Sequence, residues 1–135
     1  MLECALLVME AFKSFEDVFQ YEIIGHSGED YKLQLTELQN PPKNEKERID
    51  VLRIMHLHSQ FCSSGDNTLE ATHDAIESFS KELDTCDEAF VITLSDANLE
   101  RYGIDPKDFA RILTLNNDVN AIAVFIGSLG DQASR

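Results

Sequence analysis

The amino-acid sequence predicts an α/β layered fold, and three observations predict it. Two near-continuous apolar runs, Ala89-Phe90-Val91-Ile92-Thr93-Leu94 and residues 121–126, have the composition of strands buried on both faces, as in a parallel sheet. Stretches with a single apolar face at helical spacing lie before and between them. A polar turn, Ser27-Gly28-Glu29-Asp30, separates Tyr21–Ile24 from a segment where Tyr31, Leu33 and Leu35 alternate with Lys32 and Gln34. That pattern predicts a hairpin with a half-exposed second strand. Buried strands alternating with one-sided helices pack as layers.

Taken in order, the chain opens with a helix whose stripe is Leu2, Leu6, Met9 and Phe12, widened by Ala5, Leu7 and Val8. No capping residue precedes it, so the expectation is a helix that has lost the sequence before it. After the hairpin, Asn40-Pro41-Pro42-Lys43-Asn44 is short enough for an ordinary loop. Ile49, Leu52 and Met55 form the stripe of a second helix, with Lys46, Glu47 and Arg48 as its solvated face. Residues 63–68 form a loop that opens a third helix, marked by Leu69, Thr72, Ile76, Phe79 and Leu83. The first apolar strand ends in Ser95-Asp96. Asp105 as N-cap and Pro106 at the first helical position start a fourth helix, with Phe109, Ile112 and Leu113 inward. The last strand ends at Gly127-Ser128-Leu129-Gly130-Asp131.

A length of 135 residues points to one domain, and 43% hydrophobic residues are enough for a core. The net charge of −14 excludes a phosphate backbone as ligand, since Lys and Arg clusters read phosphate. It excludes docking on anionic lipid for the same reason. Cations and basic proteins stay open as partners. No apolar run reaches the ~20 residues of a membrane helix, so no membrane insertion is expected. The Met1-Leu2-Glu3 start has no basic region, hence no secretory signal is expected. Cys4, Cys62 and Cys86 are far apart, odd in number and without a CxxC pair. They indicate a reducing, intracellular setting and no thiolate zinc site.

In such sheets ligands gather at the carboxyl ends of the strands. Asp96 and residues 127–131 fall there, and the loop over residues 65–68 reaches the same edge. Each candidate has a plain structural alternative. Thr68 either offers a hydroxyl to a ligand or merely starts its helix, with Asn67 and Glu70 as a capping-box variant. Asp96 either binds or caps the next turn, and Asp66 either backs a site or shapes a turn. His56 and His58, with Cys62, sit two apart on a helix and do not share a face, which makes them surface histidines. The Gly127-Ser128-Leu129-Gly130 segment lacks the third glycine of a dinucleotide fingerprint. Cys86 lies among Asp84, Asp87 and Glu88, which disfavour a thiolate. A phosphate-cradling Gly-x-x-x-x-Gly-Lys-Ser/Thr loop and a Ser/His/Asp set are both lacking, so neither ATP hydrolysis nor other catalysis is expected of this segment.

Several blocks then become recognisable. Val8-Met9-Glu10-Ala11-Phe12, Gly25-His26-Ser27-Gly28, Ser64-Gly65-Asp66, Leu94-Ser95-Asp96-Ala97-Asn98-Leu99 and Phe125-Ile126-Gly127-Ser128-Leu129-Gly130-Asp131 appear in the order helix, hairpin, helix, loop, strand, helix, strand. Over nearly the whole chain this resembles a von Willebrand factor A domain, of the kind attached to mitochondrial AAA-type ATPases. The resemblance implies a three-layer Rossmann-like fold, mostly parallel with one antiparallel hairpin. Residues 1–135 would be a partial domain with its first and last strands missing, and the ATPase regions would lie outside them.

That family builds a metal-ion-dependent adhesion site from three loops. By motif position Thr68 matches the threonine of the second loop and Asp96 the aspartate of the third, with Asp66 in a supporting place behind them. The first loop, Asp-x-Ser-x-Ser, occurs nowhere in the 135 residues. The resemblance therefore implies a degenerate site with weak Mg²⁺ or Mn²⁺ affinity at most, since such ions need a full oxygen shell. The expected function is a non-catalytic protein-interaction module with a protein partner. A metal-assisted hydrolase using Asp96 and Thr68, or a truncated product with no independent function, are the alternatives. Self-association through exposed strand edges is a further expectation, and a mitochondrial location follows from the resemblance alone.

Overall fold

The computed structural model describes residues 1–61, 67–95 and 103–126. The chain is mixed α/β and divides into two compact units, Met1–Gly65 and Asp66–Arg135. The first unit holds α1 (Leu2–Ala11), β1 (Ile23–Gly25), β2 (Leu33–Thr36) and α2 (Glu45–Phe61). β1 and β2 pair antiparallel, with Ile23 opposite Thr36 and Gly25 opposite Leu33. The register shifts between Ile23 and Ile24, and there the Thr36 hydroxyl accepts from the Ile23 N–H at 2.7 Å. Ser27 shapes the predicted turn: its N–H donates to the Asp30 carbonyl, and its hydroxyl accepts from the N–H groups of Glu29 and Asp30. Both strands are shorter than the alternation predicts, leaving Tyr21 and Tyr31 outside them.

Met9, Leu35 and Val51 form the core of this unit, with Tyr21, Leu33 and Leu52 packed around it. Two expectations about the helices fail here. In α1 the buried residues are Ala5 and Met9, while Leu2, Leu6 and Leu7 are exposed. The apolar face is wider than the single helix laid against it in this unit, α2, covers. In α2 the buried residues are Arg48 and Val51, and Ile49 is exposed. Lys46 and Glu47 are solvated as expected, but Arg48 is turned inward. Its aliphatic stem lies along the helix interface while its charge meets Glu10 of α1, Nε to Oε1 at 2.6 Å. No acceptor lies along the Nε–H bond, so the contact is an ion pair and not an aligned hydrogen bond.

The start of α2 is a reciprocal cap. Asn44 Oδ1 accepts from the Glu47 N–H at 3.0 Å, and Glu47 Oε2 accepts from the Lys43 N–H at 2.7 Å. The Lys43 N–H bond, aided by the Asn44 side chain, holds the Glu47 carboxyl below the usual glutamate range.

The second unit holds α3 (Thr68–Ser80), a single 3₁₀ turn (Leu83–Thr85), β3 (Ala89–Ser95), α4 (Pro106–Leu113) and β4 (Val119–Phe125). β3 and β4 pair in parallel, from Ala89 opposite Val119 to Ser95 opposite Phe125. α4 is the crossover that a parallel pair requires. It starts as predicted, with Asp105 accepting from the Lys107 N–H at 2.8 Å and Pro106 in the first turn. Ile76, Ala89, Val91 and Val119 make the core, with Phe79 and Ile112 against it. Phe109 is buried, its ring 5.9 Å from that of Phe125.

The expectation of strands buried on both faces is corrected. Burial alternates along β3, with Ala89, Val91, Thr93 and Ser95 inside. Phe90, Ile92, Ile122 and Val124 are exposed. Within this unit α3 and α4 pack on one face of a two-stranded sheet, so the pleat exposes every second residue.

α3 is held to β3 by a row of residues four apart: Thr68, Thr72 and Ile76, all buried. The Thr72 hydroxyl donates to the Thr68 carbonyl at 2.7 Å. That bond uses its one proton, so across the interface it accepts from the Thr93 hydroxyl at 2.9 Å.

Two outcomes are expected from this packing. Thr72→Val keeps the side-chain shape but strands the buried Thr93 hydroxyl, and costs about 1–3 kcal/mol in urea unfolding. Thr72→Val with Thr93→Val together recovers much of that loss; a double variant as unstable as the sum of the singles would refute the pairing. The Glu47 cap gives a pH dependence. Because its folded-state pKa is depressed, its stabilisation is present above the unfolded glutamate pKa and is lost as pH falls through the folded value. Glu47→Gln keeps one oxygen for the Lys43 N–H, loses the acceptor for the Asn44 side chain and removes the titration, so the acid limb of stability measured by urea midpoints is shallower in that variant.

Candidate functional site

The site predicted from sequence lies at the carboxyl ends of β3 and β4. The parallel register puts these ends side by side, and the Ile126 N–H donates to the Ser95 carbonyl at 2.8 Å just past the ladder. α3 runs against the direction of β3: Ile76 packs with Ala89 and Val91, and Thr72 bonds Thr93. One turn earlier in the helix, about 5.4 Å along its axis, is Thr68. The start of α3 is thereby carried toward Ser95, the last residue of β3.

Thr68 is the first residue of α3, and its side chain is sealed from solvent. Asn67 stands at the N-cap but makes no capping hydrogen bond through its side chain, so the capping-box variant with Glu70 is not formed. Ser95 is buried as well. Asp66, Asp96 and residues 127–131 lie outside the described residues, as does Cys62. His56 is exposed and His58 half-buried, each on α2, as expected for surface histidines. Cys86 is exposed, with its thiol 3.9 Å from the Leu83 carbonyl, and Cys4 is half-buried. No helix among the described residues is long and apolar enough to cross a membrane.

Sequence reasoning missed two polar features. Thr93 is counted in an apolar run by composition, although the alternation Thr93, Leu94, Ser95 at its end carries the signal of a polar inner row. Arg48 was assigned to solvent because a charge next to Lys46 and Glu47 reads as surface. Within the first unit a shallow cleft between α1 and α2 is lined by Leu6, Glu10, Lys13, Arg48, Ile49 and Leu52. The turn after α1 was also unremarked. It stacks Phe12 on Phe19 with centroids 5.1 Å apart, Phe12 by Tyr21 at 5.6 Å, and Phe15 edge-on to Phe19 at 6.4 Å.

No protein-family model and no solved structure matches the chain. It is 55% identical over 134 residues, 99% of its length, to von Willebrand factor A domain-containing protein 8 of Mus musculus. The chain spans 7% of that protein's length. The chain is a relative of a segment of a von Willebrand factor A domain-containing protein.

Proposed function

We propose that the chain is a non-catalytic protein-interaction module on a von Willebrand factor A frame, with an incomplete metal-ion-dependent adhesion site. The observation that carries this reading is the 55% identity, along almost the entire chain, to a protein named for that domain. The parallel β3–β4 pair with its helical crossover and the separate antiparallel hairpin agree with the mixed α/β character of such a frame.

Thr68 and Asp96 are the residues that would hold a cation, with Asp66 behind them. The donor set does not fit a tightly held ion. An octahedral Mg²⁺ site needs six oxygens, and the Asp-x-Ser-x-Ser loop that supplies a carboxylate and two hydroxyls is absent from these 135 residues. Burial of Thr68 argues in the same direction, because a hydroxyl sealed in packing is not offered to a hydrated ion. Each strand of the β3–β4 pair has one unpaired edge among the described residues, which supports self-association as a second property.

Isothermal titration with Mg²⁺ and Mn²⁺ tests the incomplete site. The expected affinity is no tighter than about millimolar. Tight binding that Asp96→Ala abolishes would overturn it. Asp96-dependent turnover in a phosphatase or esterase screen would overturn the non-catalytic reading.

A further inference from the structure

The segment joining α1 to β1 is the least expected surface of the first unit. Phe15 is 53% exposed, Val18 73% and Phe19 48%. The two exposed rings stack outward from Phe12 and Tyr21, which are half-buried. The backbone holds them out. Ser14 sits at φ +73°, in the left-handed region, and its N–H donates to Glu16 Oε1 at 3.1 Å. The N–H groups of Val18 and Phe19 both donate to the Phe15 carbonyl, at 2.9 and 2.8 Å, which closes the turn.

Charge is laid over this apolar surface. From Ser14 to Gln20 there are two carboxylates, Glu16 and Asp17, and no cation. The neighbouring Lys13 is turned to Glu10 at 3.9 Å. The Glu16 carboxyl is held below its usual range, chiefly by its own backbone N–H and that of Ser14, and so stays ionised. A second copy of the chain docking turn to turn would bring the same two carboxylates to the contact. Anionic lipid and nucleic acid are repelled in the same way. The occupant with complementary charge is a protein segment carrying Lys or Arg beside apolar residues.

We propose that the turn from Phe12 to Tyr21 is a docking surface for a basic amphipathic segment of a partner protein. Apolar side chains of that segment cover Phe15, Val18 and Phe19, and its cations pair with Glu16 and Asp17 or lie over the exposed rings. The surface rests on the reading of the chain as a protein-interaction module, but it is built from residues of the first unit alone and needs no metal.

The test is fluorescence polarisation with a short labelled peptide of alternating Arg and Leu. Phe15→Ser with Phe19→Ser is expected to weaken binding at least roughly tenfold, as loss of aromatic anchors does. Asp17→Lys, at an exposed side chain outside the Ser14–Glu16 contact, is expected to weaken it by roughly two- to fivefold, as loss of an exposed ion pair does, and to leave the circular dichroism spectrum unchanged, which keeps the test decisive if the serine variant unfolds. Glu82→Lys with Asp84→Lys, exposed acids to which the proposal gives no part in binding, makes a larger change of net charge and leaves binding within about twofold, since charges that do not pair directly with the peptide are screened. EDTA and Mg²⁺ change nothing, so failure here and failure of the strand-end reading are separate results. The proposal is overturned if the peptide does not bind, if an all-Arg peptide binds as well, or if reversal at Glu82 and Asp84 is as damaging as reversal in the turn. A dimer in light scattering that Phe15→Ser with Phe19→Ser dissolves would overturn it in favour of a second copy.

Discussion

How closely α3 can approach β3 decides the arrangement of the second unit. The residues at the contact are small and hydroxylated, Thr68 and Thr72 on the helix against Thr93 on the strand. A hydroxyl buried alone costs about 1–3 kcal/mol by mutational measures. The interface therefore has to bring the hydroxyls into register with each other, and one rotational setting of the helix does so. With that setting fixed, Ile76 drops into the space beside Ala89, Val91 and Val119, and the first turn of α3 is aimed at the end of β3.

The first unit is joined by a different interaction. Arg48 is buried to 5% exposure, whereas Glu10, its counter-ion, keeps 45% of its side chain in solvent and lies 3.9 Å from Lys13. A guanidinium taken out of water needs a paired charge, and a half-solvated carboxylate supplies one at modest net gain. The pair fixes which side of α2 meets α1. Once Arg48 and Val51 face inward, Ile49 and Ile54 are left outside.

The sequence was informative about elements and less so about faces. The four helices, the hairpin, the Asp105 cap and the direction of the apolar strands are legible because each depends on local spacing or a cap. Which residues become buried depends on how many layers are present. Phe90, Ile92, Ile122 and Val124 have the composition of a doubly covered strand, but within the unit helices pack on one side only. Ile49 and Arg48 are adjacent, and periodicity alone gives the inward place to the apolar residue; the counter-ion on α1 reverses that choice. At the candidate site, the position of Thr68 was readable from the stripe beginning its helix. Its complete burial was not, since that depends on tertiary packing around the start of α3. Asp96 follows Ser95 directly in sequence and lies outside the described residues.

The parallel ladder also sets an order of assembly. A hairpin such as β1–β2 joins neighbouring segments and forms on a timescale of about 1–10 µs. β3 and β4 meet only after the whole intervening connection, α4 included, has folded back on itself. The entropy of closing that loop is spent before any rung of the ladder repays it. Pairing of β3 with β4 is accordingly a late event in folding. Until it occurs, Ala89 and Val91 belong to an unpaired apolar strand, the kind of transiently uncovered segment that makes a partly folded chain prone to aggregate.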